Sequence, residues 1–178
     1  AKAPVPFRIT TTCGQERTLP WIKQNKLDNP SSTLGVWGRM FLEVLFFRSL
    51  FRNTKAELHD NSKVAYGETK WLWIFAMMFH WSFLIIFLRH FRFFADPIPG
   101  FVKYLEGIDG FFQVGVPIVY MTGILVIVGL GYLLLRRLFD TKIRYISLSS
   151  DYFPLLLLLG IAITGVIMRY FVKTDLVG

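Results

Sequence analysis

The sequence predicts an all-α integral membrane protein, a transmembrane helical bundle of three spans preceded by a polar, cytoplasmic N-terminal segment. Three observations lead there. Residues 71–88, 111–135 and 152–168 form apolar runs without a single Asp, Glu, Lys or Arg, and each approaches or exceeds the roughly 20 residues that cross a hydrocarbon core. Of the 178 residues 53% are hydrophobic and 17% aromatic, close to the soluble ceiling, so their concentration into runs decides the class. The net charge of +8 flanks the runs, as membrane topology requires. With no RNA- or DNA-binding module in the chain, nucleic acid is excluded as the partner of that charge. The single cysteine, Cys13, excludes an internal disulfide and a Cys-rich cluster built from this chain alone.

The elements follow in order. Residues 1–34 are polar and punctuated by Pro4, Pro6, Pro20 and Pro30, and Asn29-Pro30-Ser31-Ser32 reads as a turn or a helix entry. The sequence begins at Ala1 without a signal-peptide pattern and is expected to be an interior piece of a longer polypeptide. Residues 36–52 are apolar but interrupted by Arg39, Glu43, Arg48 and Arg52. At 100° per residue these charges fall on two faces, which suits an interfacial helix packed on partner protein better than a span. Residues 53–70 are hydrophilic and contain His59. Residues 1–69 thus form a partner-docking segment, and residues 70–178 the bundle.

The spans are expected as helix A over about 70–93, helix B over about 111–136 and helix C over about 152–172. Long unbroken apolar runs lack the alternation of a membrane barrel. Asp96-Pro97-Ile98-Pro99-Gly100 closes helix A, Pro117 predicts a local kink in helix B, and Gly123, Gly129, Gly131, Gly160 and Gly165 permit close helix approach. Eleven Lys and Arg precede position 71, and Arg136, Arg137, Lys142 and Arg144 sit between B and C. The A/B connection has Arg89, Arg92 and Lys103, balanced by Asp96, Glu106 and Asp109. The positive-inside tendency therefore puts residues 1–69 and the B/C connection on the cytoplasmic side of a multi-pass inner-membrane protein.

Helix A carries the chemistry. His80 and His90 lie ten residues apart in an aromatic setting of Phe79, Trp81, Phe83, Phe87 and Phe91, separated by about 15 Å along the axis and pointing about 80° apart. One metal cannot reach both rings. Two cofactors stacked across the membrane can use them, since neutral imidazole is an axial ligand for haem iron, and Arg89 and Arg92 are placed to pair with haem propionates. A proton relay, and histidines that merely hydrogen-bond in a core or snorkel, are the alternatives on residue type alone. Helices B and C offer no Asp, Glu or His to extend a relay.

The strings TTCGQERTLPWIKQNKLDNPSST (11–33), RSLFRNTKAELHD (48–60), FHWSFLIIFLRHFRFF (79–94), PGFVKYLEGIDGF (99–111) and RYISLSSDYFPLLLLLGIAITGVIMRYFVK (144–173) resemble the DsrM family. These are the cytochrome b subunits of DsrMKJOP sulfite-reduction-associated membrane complexes, within the broader nitrate reductase gamma subunit family. The resemblance implies a bundle of about five spans in the intact polypeptide and two b-type haems, with His80 on the cytoplasmic side and His90 on the outer side each supplying one axial ligand. The family's other two ligands lie on a later helix, expected outside this chain, and His59 is a poor substitute for them. It further implies that menaquinol is oxidised near the outer haem. A cytoplasmic iron-sulfur subunit resembling DsrK receives the electrons, in a quinol-linked oxidoreductase complex with other DsrMKJOP-like subunits. Lys103 and Asp109 are then the choices for the quinone pocket, with Asp96 and Glu106 nearby, and Cys13 is placed against the iron-sulfur partner. A non-redox membrane anchor and a proton- or ion-conducting bundle are the rival classes.

Overall fold

The computed structural model describes residues 27, 30, 32–52, 54–59, 63–110 and 119–172. The readings for Cys13, Pro117 and the first residues of helix B lie outside the described residues. The chain divides into two compact units, Ala1–Trp73 and Ile74–Gly178.

The first unit opens with α1, Thr33–Phe46, entered through Ser32, whose Oγ accepts the Gly35 N–H at 3.2 Å. Gly35 is needed there, because a Cβ would sit 2.7 Å from the Cβ of buried Pro30. The Asn-Pro-Ser-Ser string is thus a helix entry capped by its last serine. The helix ends at Phe47, which takes left-handed backbone (φ 48) and donates its N–H to Glu43 O. A second short helix, α2 (Arg48–Phe51), follows at once. Glu43 reaches across the break, its carboxylate accepting from Ser49 N–H at 2.8 Å and Ser49 Oγ at 2.6 Å, so an acid in an apolar stretch joins the two helices. Leu34, Trp37, Phe41 and Val44 form an exposed stripe at helical spacing along α1, while Val36 and Arg39 are buried.

An antiparallel hairpin comes next, β1 (Thr54–His59) with β2 (Lys63–Glu68), in a register that pairs Leu58 with Val64 and His59 with Lys63. The sequence reading treated this segment only as hydrophilic. The first turn of α3 (Lys70–Arg89) belongs to the same unit and is fastened to it. Trp73 Nε1–H donates to Phe46 O at 2.7 Å and the indole meets Phe51 edge-on at 4.9 Å.

The second unit is the helical membrane bundle that the apolar runs predict. Three helices are long and apolar enough to cross a membrane, Lys70–Phe93, Met121–Phe139 and Ser149–Val172. The first is α3 extended by a 3₁₀ turn, His90–Phe93. Within the A/B connection lies a further helix, α4 (Gly100–Asp109), which starts at Pro99 and buries Val102 and Asp109 on one side. The second span, α5 (Met121–Phe139), begins well inside the apolar run, because Tyr120 is extended (φ −86, ψ 125). A short α6 (Thr141–Ile146) is capped by Asp140, whose Oδ1 accepts the Lys142 N–H. The third span is α7 (Ser149–Ile167), ending in a π-helical turn, Met168–Val172.

α5 is the central helix. Thr122, Val126, Gly129 and Leu130 are its buried residues, at the spacing of one helix face. At Gly129 a Cβ would come within 3.0 Å of Phe79 Cβ and 3.2 Å of its Cα and N, so α3 approaches as far as a glycine allows, with Phe75 stacked on Tyr132 at 3.9 Å one turn away. Ser82 and Thr164, within the first and third spans, bond to their own helices, Ser82 Oγ to Met78 O at 2.7 Å and Thr164 Oγ1 to Gly160 O at 2.9 Å, since hydrocarbon offers no partner of its own.

Asp109 ties α4 to both neighbours. Its Oδ2 accepts from Arg89 Nη1 at 2.6 Å and from Thr122 Oγ1 at 2.6 Å, while Oδ1 accepts the Thr122 N–H at 2.9 Å. The carboxylate therefore caps the amide end of α5 from another helix and neutralises Arg89, both side chains being largely buried.

Four variants of the full-length protein in detergent have defined outcomes. Gly129→Leu lowers thermal stability by about 1–3 kcal/mol through forced displacement of α3. Gly131→Ala, with nothing within 4 Å of its would-be Cβ, leaves the melting temperature unchanged or slightly raised. Asp109→Ala strands the buried Arg89 guanidinium and costs about 3–5 kcal/mol in the same melt, and Asp109→Asn, which keeps hydrogen-bonding capacity, costs less.

Candidate functional site

Both α3 histidines are fixed in the same way. His80 Nδ1 lies 2.7 Å from Ala76 O and His90 Nδ1 lies 2.7 Å from Ile86 O. A carbonyl oxygen only accepts, so each Nδ1 carries a proton, and Nε2 is the acceptor nitrogen of the neutral tautomer. The sequence makes this possible because each histidine sits a full helical turn beyond a residue of the same apolar helix, within reach of its carbonyl. Phe79 packs edge-on to the His80 ring at 4.7 Å, and Phe93 lies 5.9 Å from the His90 ring. Both histidines are exposed on the surface of this chain. No cluster of three or more His, Cys, Asp or Glu suited to a metal occurs among the described residues. The two imidazoles are thus oriented alike and stand ten residues apart along the chain.

Beside His90 the three spans enclose a cavity of ≈ 380 Å³. Phe83 and Ile86 of α3, Val126 and Leu130 of α5, and Leu158 and Ile161 of α7 give it apolar walls. Arg89, Arg92, Arg169, Tyr120 and Tyr170 also line it. His80 does not, so the two histidines have different surroundings.

The other residues singled out by sequence are distributed unequally. Arg89 is on the wall, paired with Asp109 and with its Cζ 3.4 Å from the Tyr120 ring centroid. Arg92 is on the wall too, paired with Glu106 at 2.7 Å and 39% exposed. Lys103 is exposed on α4 and Asp109 is buried on it, and neither lines the cavity. Asp109 is engaged by Arg89 and Thr122, and the structure does not bring Lys103 and Asp109 to a common pocket.

Three residues were missed. Arg169 stands 4.2 Å from the Tyr120 ring centroid and 5.9 Å from that of Tyr170, and Tyr170 Oη accepts the Tyr120 N–H at 3.1 Å. In the sequence Arg169 looks like any cation at the end of a span. Its one distinguishing signal is the adjacent tyrosine, which only the fold connects to Tyr120.

The family profile described as "Nitrate reductase gamma subunit" matches residues 37–177. The chain is 45% identical over 179 residues to a protein of Archaeoglobus fulgidus named "Hdr-like menaquinol oxidoreductase cytochrome b-like subunit", covering 99% of this chain and 53% of that one. It is 41% identical to the protein of the same name from Archaeoglobus profundus, again covering 99% of this chain and 53% of the relative. The chain thus spans about half the length of the curated relatives it matches. No solved structure matches it. A match that runs through all three spans and both α3 histidines makes this chain a member of the nitrate reductase gamma subunit family.

Proposed function

We propose that this chain is part of a membrane cytochrome b that passes electrons between menaquinol and a cytoplasmic iron-sulfur partner. The observation that supports the reading is the pair of imidazoles on α3, ten residues apart and each oriented by Nδ1–H on the carbonyl one turn back. Such anchoring of the second ring nitrogen is how metal-ligating histidines are commonly oriented. The ten-residue spacing separates the rings by about 15 Å along the helix, so each serves its own site, and two b-type haems account for both. Any further protein ligand to either haem would be supplied by residues other than His80 and His90. The cytochrome b and menaquinol in the relatives' names support the same assignment.

A bound haem supplies reversible one-electron chemistry at its iron. The residues of this chain do the rest. His80 and His90 would hold and orient the haem, the apolar walls formed by Phe83, Ile86, Val126 and Leu130 would exclude water, and the Arg169 guanidinium would add positive potential, Arg89 and Arg92 being paired with Asp109 and Glu106. We assign His80 to the cytoplasmic side of the cell membrane and His90 to the outer side, with residues 1–69 facing the electron-accepting partner, on the strength of the Lys and Arg distribution. Near His90, exposed Lys103 is the candidate to meet a quinone oxygen. Asp109 acts there through Arg89 and Thr122, since its oxygens are shared between them. The strings shared with the DsrM family support a setting in dissimilatory sulfur metabolism and a partner resembling DsrK.

A reduced-minus-oxidised visible spectrum of the intact membrane complex tests this reading. Bands of b-type haem are expected, and their complete absence would leave the anchor or the conductor as the function. His80→Ala and His90→Ala in the full-length protein are each expected to remove about half of the haem measured by pyridine haemochrome. Full haem content in both variants would refute the ligand assignment.

A further inference from the structure

The three guanidiniums beside His90 are not equivalent. Arg89 is neutralised by Asp109 and Arg92 by Glu106, whereas Arg169 has no carboxylate partner among the described residues. It is nevertheless held in place. Its Cζ lies 4.2 Å from the Tyr120 ring centroid, and that ring is itself fixed, with Arg89 against it at 3.4 Å and its backbone N–H donated to Tyr170 Oη. A cation–π contact uses the face of the guanidinium and leaves the N–H donors along its edge for an anion.

The backbone supports the same placement. Met168, Arg169 and Tyr170 all line the cavity, although three successive residues of a regular α-helix sweep about 200°. The π-helical turn Met168–Val172, a local widening that recurs at functional sites, is where the chain puts them on one wall. An arginine at the end of a span that only snorkelled to water would need neither the aromatic cradle nor the irregular turn. The chamber it lines is apolar for most of its extent and also holds His90.

We propose that Arg169 binds a carboxylate of the haem held by His90, a propionate, in place of the pairing with Arg89 and Arg92 that the sequence suggests. The assignment rests on the haem reading above. A planar carboxylate matches the fork of a guanidinium bidentately, and the same cavity provides the imidazole for the iron and the apolar walls for the macrocycle. A phospholipid headgroup is the other source of an oxyanion at this depth, and it would reach Arg169 without involving His90.

The experiment is a redox titration of the full-length protein in its complex, followed by haem absorbance, for the parent, Arg169→Gln and Arg169→Lys. With Arg169→Gln, haem content is expected to stay near the parent value while one of the two haems becomes harder to reduce. Its reduction equilibrium falls about ten- to a hundredfold, as expected for removing one charge about 6–12 Å away at an effective dielectric near 20. Arg169→Lys, which keeps the charge but not the fork, is expected to give a smaller shift of the same haem. Exchange of bound phospholipid for phosphatidylcholine is expected to leave the parent midpoint in place. Unmoved midpoints in both variants overturn the proposal, as does a parent midpoint that follows the lipid exchange. If Arg169→Gln is recovered without haem, Arg169→Lys decides by the same criterion. Absence of b-type haem from the parent refutes the cytochrome reading itself, whereas haem present with unmoved midpoints refutes only the role of Arg169.

Discussion

Asp109 is 5% exposed, and its two oxygens are divided among the Arg89 guanidinium, the Thr122 amide and the Thr122 hydroxyl, so α3, α4 and α5 converge on one anion. Without it the first turn of α5 would present an unpaired amide at membrane depth, where each such group costs several kcal/mol. Its effect continues outward. Arg89, placed by Asp109, lies against Tyr120, and Tyr120 in turn supports Arg169 and is held by Tyr170. The order of dependence runs from a buried carboxylate to a stacked ring to a cation with donors to spare. That ordering explains why an acid in this connection has a structural task even though it sits close to the chamber beside His90.

The opposite end of the contact between α3 and α5 is governed by sterics instead of charge. Gly129 lets α5 approach the backbone of Phe79, the residue before His80, and Phe75 stacks on Tyr132 nearby. Each histidine is therefore next to a fixed contact, one made of packed apolar atoms and the other of an ion pair. α7 contributes differently, since none of its residues is buried within this chain. Its apolar surface is suited to lipid and to further helices, and its most constrained part is the π-helical end that bears Arg169 and Tyr170.

The large features were legible in the sequence because their physics is local and repetitive. A run such as 152–168, apolar and uncharged, has few alternatives to a spanning helix, and a histidine inside the run 71–88 with a second just beyond its end stands out against it. What escaped had weak or non-local signals. The hairpin of Thr54–His59 and Lys63–Glu68 has strands of 6 residues each, rich in charge and too short for alternation to stand above noise. α4 is 10 residues long and was hidden behind the Pro-Gly signal that actually begins it. The start of α5 at Met121 depends on a carboxylate from another helix, and Arg169 depends on the Tyr120 ring, 49 positions away in the chain. Neither contact leaves a periodic signal in the sequence. Glu43 is an intermediate case: its charge marked the stretch as something other than a span, but only the left-handed Phe47 showed that it bridges two helices.

The backbone anchoring of the two imidazoles has an evolutionary consequence. Each Nδ1–H is received by a main-chain carbonyl, of Ala76 and of Ile86, and not by a side chain. The aim of each ring is therefore inherited from the helix itself and survives any substitution at positions 76 and 86 that keeps the helix intact. A histidine whose orientation is written in the main chain leaves the surrounding side chains free to drift, adjusting to new lipids and new neighbouring helices while the ring keeps its aim.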